Sequence, residues 1–236
     1  DMENIMDLAK KYNLKIIEDN AQAIGSVYTF SNGEKKHTGT IGDIGTTSFY
    51  PSKNLGCYGD GGAIFTNDDE LAQKIKMIVN HGESKKYHHK VVGCNSRLDS
   101  IQAEILNIKL KYLDQYNSNR QIMAENYNMA FKDIETIQTP ELIKNSTHVY
   151  HQYTIKILDK RRDELRDYLQ DKGIPTMIYY PIPLYKQEAF SKYVDENYCL
   201  NNTEALSQNV LSLPIHTEIE SSHQDYIINE VLNFFK

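Results

Sequence analysis

Cysteine is scarce in this chain: three among 236 residues, Cys57, Cys94 and Cys199, widely spaced and without a CxxC pair. An odd, scattered set excludes a disulfide framework and suits a reducing compartment, so the cytoplasm is the expected location. Long apolar runs are absent too. None approaches the ~20 residues that a membrane-spanning helix needs, and no signal peptide is visible. Nor is there a basic excess. Lys and Arg number 26 against 32 Asp and Glu, a formal net charge of −6, with the signs mixed along the chain. That balance gives no general attraction to nucleic acid or an anionic membrane, so any phosphate it binds needs a specific site. Internal repeats and low-complexity tracts are lacking as well.

What is present is an ordinary globular composition, 40% hydrophobic and 25% charged, at a length that favours one large or two modest domains. The opening "DMENIMDLAKKYNL" sets Ile5, Leu8, Ala9 and Tyr12 at helical spacing behind Asp1 as N-cap. Starting on a helix without an initiator methionine, the chain reads as the later part of a longer protein. "LKIIED" predicts a short buried strand ending in Glu18 and Asp19, and "GTTSFY" and "GGAIFTN" predict two more. "DDELAQKIKMIVN" predicts a helix with a Leu71, Ile75, Ile78 stripe. Strands alternating with helices argue for an α/β domain with a mainly parallel sheet. From Arg97 a long helical pattern runs through Ile101, Ile105, Ile108 and Tyr112. Beyond it, "VYHQYTIKI" and "NVLSLPI" read as strands, "PTMIYYPIP" as extended, and "KRRDELRDYLQDKG" and "SSHQDYIINEVLNFF" as helices. The division expected is a large domain over 1–112 and a smaller α+β domain over 113–236.

Lys53 stands between a β-like run and a glycine cluster, in "SFYPSKNLGCYGDGG". A phosphate clamp, a solvated surface charge and a nucleophile are the three readings of such a lysine. The P-loop pattern is absent, because the glycines follow the lysine instead of preceding it. Hydroxyls at Ser48 and Ser52 and a flexible segment behind it suit an amine held in a pocket, where desolvation favours the neutral, nucleophilic form. Asp19, at the end of a strand in an open α/β sheet, lies where such folds bind ligands; a turn or capping acid is its other reading. A lysine for a Schiff base and an acid for a pyridinium nitrogen are together what pyridoxal phosphate chemistry requires. Adjacent His88 and His89 make a poor metal site, and no metal is expected. The serines lack the G-x-S-x-G elbow of a hydrolase.

The segments "IIEDNAQAIGS", "GDIGTTSFYPSKNLGCYGDGGAIFTND", "NHGESKKYHHKVVGCNSRLDSIQAEIL" and "IYYPIPLYKQEAF" together resemble the DegT/DnrJ/EryC1/StrS family of nucleotide-sugar aminotransferases, over nearly the whole chain. The resemblance implies the aspartate aminotransferase type I fold, with pyridoxal 5'-phosphate as cofactor and active sites shared between the subunits of a homodimer. Lys53 then matches the lysine that holds the cofactor and Asp19 the acid facing its ring nitrogen. Gln22 matches the amide beside the ring's phenolic oxygen, and Ser48 a hydroxyl on its phosphate. Asn95 resembles the asparagine that reaches the neighbouring subunit's phosphate, while Arg97 and Tyr180 resemble residues lining the sugar-nucleotide pocket. Tyr179 stands where members often carry histidine. The family's long N-terminal stretch is not matched by any part of this sequence.

The activity so implied is transamination of a nucleotide-linked keto sugar with glutamate as donor. The wording around Lys53 and "KKYHH" is most similar to enzymes aminating carbon 3 of UDP-linked 3-keto-2-acetamido uronic acids for surface polysaccharide; a dTDP-3-keto-6-deoxyhexose is the alternative substrate. An inactive fragment or a regulatory relative on the same scaffold are rival readings. A sugar dehydratase is disfavoured, because those relatives carry histidine in place of the lysine.

Overall fold

Asp1 caps the first helix as its spacing predicts, its Oδ1 accepting from the Asn4 amide at 3.2 Å. The computed structural model describes residues 1–195 and 198–236. They fall into two units, one of Asp1–Ser118 with Leu142–His151, the other of Asn119–Glu141 with Gln152–Lys236.

The first unit runs through α1 (Met2–Tyr12), β1 (Ile17–Asp19), β2 (Val27–Thr29), β3 (Lys35–His37), β4 (Ile44–Ser48) and β5 (Gly62–Phe65). It continues with α2 (Asp69–Val79), β6 (Glu83–Lys85), β7 (His88–His89), α3 (Ser100–Leu110) and the start of α4 (Leu113–Phe131). Its sheet has the order β1-β4-β5, with β1 parallel and β5 antiparallel to β4. The sheet is therefore mixed where a mainly parallel one was expected. The reason is the connection: β4 returns to β5 through a loop without a helix, and only a crossover element lets consecutive strands run parallel. β2 with β3 and β6 with β7 form separate two-stranded ribbons. Asp68 caps α2, accepting from the amides of Glu70 and Leu71.

The expected long helix is two helices. No proline or glycine marks the break at Lys111–Tyr112, and residues on both sides of it serve one core: Leu106 and Leu113 are buried with Leu55 and Cys57, against Ile24, Phe49 and Leu98. The apolar stripes of the other elements are less covered than their pattern predicts. Ile17 of β1 is 66% exposed, and of the α1 stripe only Ala9 is buried. α2 buries none of its residues. Among the described residues the sheet ends at β1 and β5, so no further strand pairs with either edge.

The second unit takes up the rest of α4 and adds β8 (Ile137–Gln138), β9 (Tyr153–Ile157), α5 (Arg162–Asp171), α6 (Asn201–Asn209), β10 (Val210–Leu213) and α7 (Ser221–Phe234). The antiparallel order β10-β9-β8 and its flanking helices make an α+β unit. β9 alternates as a one-sided strand should: Tyr153, Ile155 and Ile157 are fully buried, Thr154 and Lys156 half-buried. Tyr127 and Phe131 from α4, Leu165 and Leu169 from α5, and Leu211 and Val231 complete that core. Gly173, with φ +72°, follows α5 in the left-handed conformation that terminates helices. The "PTMIYYPIP" stretch forms no strand of its own; Met177 alone bridges Ser212 of β10. Among the described residues no helix is long and apolar enough to cross a membrane, and no cluster of His, Cys, Asp and Glu is placed to hold a metal.

Candidate active site

Two parallel strands bring the first pair of residues to one end of a sheet. Asp19, the last residue of β1, is in register with Thr46 of β4, and Ser48 ends β4 one pleat further on. The C-terminal end of parallel strands is where open α/β sheets bind ligands. The loops that leave this end carry Gln22 and Lys53.

The loop after β1 is held close to the sheet. The Asn20 amide donates to Thr46 O at 2.8 Å, and the Thr47 hydroxyl donates to Asn20 O at 3.2 Å. Asp19 folds its own loop, its Oδ1 accepting from the Ala21 amide at 3.0 Å, the local bond that makes aspartate a turn former. Its Oδ2 makes no hydrogen bond among the described residues and is available to an outside donor. Gln22 lies exposed in the turn.

The loop after β4 is built as tightly. Phe49 donates to Gly61 O and receives the Cys57 amide, both at 2.8 Å, and the Lys53 amide closes a turn onto Tyr50 O at 2.8 Å. Ser48 Oγ accepts from the Tyr50 amide at 3.2 Å, which leaves its hydrogen to donate elsewhere. Asn54, Leu55, Gly56 and Cys57 are buried directly behind Lys53. The Cys57 thiol points inward, donating to Phe49 O and Gly59 O at 3.0 Å, so it is a packing residue and not a reactive one. Lys53 is half-buried and forms no ion pair among the described residues. An unpaired amine, an acid with one oxygen open, and a hydroxyl with a hydrogen to give suit an anionic, aldehyde-bearing aromatic ring in donor chemistry.

The remaining candidates are held elsewhere. Asn95 and Arg97 lie on a segment strapped to the end of α2: Cys94 donates to Ile78 O and Ser96 to Val79 O, both at 2.9 Å, and Asn95 bridges Asn80. Arg97 Nη1 donates to Asn80 Oδ1 at 3.1 Å, and the Asn95 side chain is exposed. No hydrogen bond among the described residues joins either one to Asp19 or Lys53. Tyr179 and Tyr180 belong to the second unit, where they line a cavity of 590 Å³ with Thr154, Pro183, Leu206 and Val210. A cavity of 620 Å³ in the first unit lies between β5 and α2 and includes none of the candidates. Asp19 and Ser48 stand at this end of the sheet, and the loops that leave it carry Gln22 and Lys53.

Three further polar residues hold this end; the sequence placed Glu18 at the strand's end without assigning it a role and did not single out the other two. The Glu18 carboxylate, on the opposite face of β1 from Asp19, accepts from the amides of Gly39 at 2.7 Å and of Ile41 and Gly42 at 2.6 Å. Asn54 and Asn117 are buried and bonded to each other at 2.8 Å. Glu18, beside Asp19, and Asn54, beside Lys53, carried a positional hint; Asn117 carried none.

The DegT/DnrJ/EryC1/StrS aminotransferase family model matches residues 1–232. The chain belongs to that family. It is 42% identical over its full length to the pleiotropic regulatory protein of Geobacillus stearothermophilus, covering 62% of that protein. It is 41% identical to the UDP-2-acetamido-2-deoxy-3-oxo-D-glucuronate aminotransferase of Pseudomonas aeruginosa, over 94% of this chain and 59% of that one. Among solved structures, Streptomyces venezuelae DesV in complex with a ketimine intermediate superimposes with a TM-score of 0.93 at 37% identity, covering 100% of this chain and 62% of DesV. The chain therefore spans about three fifths of the length of the relatives it matches. The aminotransferases of this family use pyridoxal phosphate.

Proposed function

We propose that this chain carries the catalytic lysine and acid of a pyridoxal-phosphate-dependent aminotransferase acting on a nucleotide-linked keto sugar. The observation that supports it is the gathering of Asp19 and Ser48 at the C-terminal end of the β1–β4 pair, with the loop bearing an unpaired Lys53 rising from that same end. Bound there, pyridoxal phosphate would supply an electron sink for the bond that breaks at the amino-bearing carbon. Asp19 would accept from the protonated ring nitrogen and keep it charged. Lys53 would hold the cofactor at rest and, once freed, would take the proton from the substrate carbon as general base and deliver it to the cofactor as general acid. Ser48 would donate to the phosphate, and Gln22 would pack beside the ring.

Amination at carbon 3, with glutamate as donor and a UDP-linked 3-keto-2-acetamido uronic acid as acceptor, is the specific form proposed. The name of the Pseudomonas relative supports it. Arg97, Tyr179 and Tyr180 are assigned to the sugar nucleotide, and Asn95 to the cofactor phosphate of a neighbouring subunit in a cytoplasmic homodimer. A regulatory role on the same scaffold is the second reading, favoured by the name of the Geobacillus relative.

Borohydride reduction of the cofactor-loaded full-length protein, followed by peptide mass spectrometry, is expected to label Lys53. Incubation with glutamate and a panel of UDP- and dTDP-linked 3- and 4-keto sugars is expected to yield a 3-amino product and 2-oxoglutarate. A label on another lysine overturns the site. Correct labelling with no amination of any sugar favours the regulatory reading.

A further inference from the structure

We propose that Asn54 and Asn117 form a tie that fixes the Lys53 loop against the Asp19–Gln22 loop, and that both are positioning residues; their role toward the cofactor rests on the function proposed above. Asn54 directly follows Lys53 and is 7% exposed. Both hydrogens of its Nδ2 are spent, one on Asn117 Oδ1 at 2.8 Å and one on Val149 O at 2.9 Å. Asn117, 6% exposed on α4, turns its own Nδ2 to Ile24 O at 3.1 Å. Ile24 lies two residues beyond Gln22 in the loop that begins at Asp19. The chain of bonds runs from the neighbour of Lys53 through two amides to Ile24, two residues past Gln22, all within the first unit.

The backbone around the tie is shaped to admit it. Gly25 has φ +87°, and a Cβ there would lie 2.4 Å from Asn117 Nδ2. A side chain at that position would both strain the backbone and push the amide away. The orientation of both amides is also forced. Val149 O and Ile24 O, at the two ends, each need a donor, so neither amide can flip without setting oxygen against oxygen. The cost falls on Asn54 Oδ1, which is buried with no hydrogen-bond partner. Neither amide titrates, so the tie holds its length at any pH at which the protein is folded.

The test compares Asn117→Ala and Asn117→Asp with the parent, in the full-length protein, with folding checked by circular dichroism. A protonated aspartate reproduces the pattern, donating to Ile24 O and accepting from Asn54 Nδ2, and burial raises the pH at which it ionises. Without cofactor, hydrogen exchange is read in the segments 20–26 and 50–57, and trace acetic anhydride labelling reads the reactivity of Lys53 against exposed Lys74. Asn117→Ala is expected to lose protection about tenfold in both segments together and to change the labelling of Lys53 relative to Lys74; labelling equal to the parent's counts against the tie. Asn117→Asp is expected to match the parent at low pH and to loosen both segments as it ionises, a step the parent lacks; this arm decides should Asn117→Ala not fold. With cofactor, the pH midpoint of the visible band is expected to move in Asn117→Ala while the folded fraction does not. Loosening of one segment alone, or of neither, overturns the tie, as does an unmoved midpoint or an Asn117→Asp protein without the pH step. If the parent fixes cofactor on a lysine other than Lys53, the functional reading falls, and the exchange and labelling results still decide the tie.

Discussion

Asp19 stands in register with Thr46 across the parallel β1–β4 pair, which sets its carboxylate at the same end of the sheet as Ser48. One carboxylate oxygen closes the Asp19 turn on the Ala21 amide and the other is open. The two oxygens can therefore be separated by substitution. In Asp19→Asn the new amide keeps a carbonyl to accept from Ala21 but loses the charge offered to a ring nitrogen. This variant is expected to fold and load cofactor as the parent does, and to lose turnover by about 100-fold or more, the scale of a misplaced acid–base function. Absorbance titration with pyridoxal phosphate and steady-state kinetics check this. Unchanged kcat would remove Asp19 from the proposed chemistry.

Glu18 supports the same strand from its other face. Its carboxylate satisfies three backbone donors, and glutamine offers one oxygen and an amide that would point a hydrogen at another. Glu18→Gln should cost about 1–3 kcal/mol, the scale of a half-buried donor left without its acceptor. Urea denaturation followed by circular dichroism measures it. A midpoint equal to the parent's would show that the 39–42 loop finds other partners.

The elements that the sequence announced are those whose signals are local. Asp68 and the residues after it specify α2, Gly173 stops α5, and the alternation of Tyr153, Ile155 and Ile157 marks β9; each is a matter of a few adjacent residues. What the pattern could not carry is whether a stripe is covered. Ile5, Leu8 and Tyr12 have helical spacing and yet stand in solvent, because burial depends on what packs against a face and not on the face. The antiparallel return of β5 follows from the missing crossover, which the strand sequences do not encode. The site was legible to the same depth. Lys53 and Asp19 drew attention by residue type and place, but Asn117 sits among polar residues of a long helix and meets Asn54 across 63 positions. A single sequence does not express such a pairing.

In the second unit, Glu204 collects donors from Lys186 at 2.8 Å, from Tyr185, and from Cys199 at 3.4 Å. Lys186, then Tyr185, then Cys199 hold its carboxyl down at about 2. Unfolded, the same group takes its proton near 4.5. Between those values the unfolded chain binds more protons than the folded one, so this contribution to stability is complete above the upper value and drains away as pH falls through the lower. Urea midpoints from pH 6 down to pH 2 should therefore fall less steeply in Glu204→Gln than in the parent. Parallel curves would show that the cluster contributes nothing to acid stability.

The assignment of Asn95 to a neighbouring subunit has a consequence that neither single variant can show. On that assignment Lys53→Ala and Asn95→Ala would each spoil every site of their own homodimer, the first by removing the amine and the second by removing a phosphate donor. When the two are unfolded together and reassembled, half the dimers are mixed. In each mixed dimer one site carries both lesions and the other carries neither, so about a quarter of all sites regain the parent composition. Recovered turnover near a quarter of the parent's in the mixture, rising to about half in heterodimers purified through two different affinity tags, would place Asn95 across the interface. Verified heterodimers with no recovery would put Asn95 and Lys53 in the same site, and the exposed Asn95 side chain would then need a partner within its own chain.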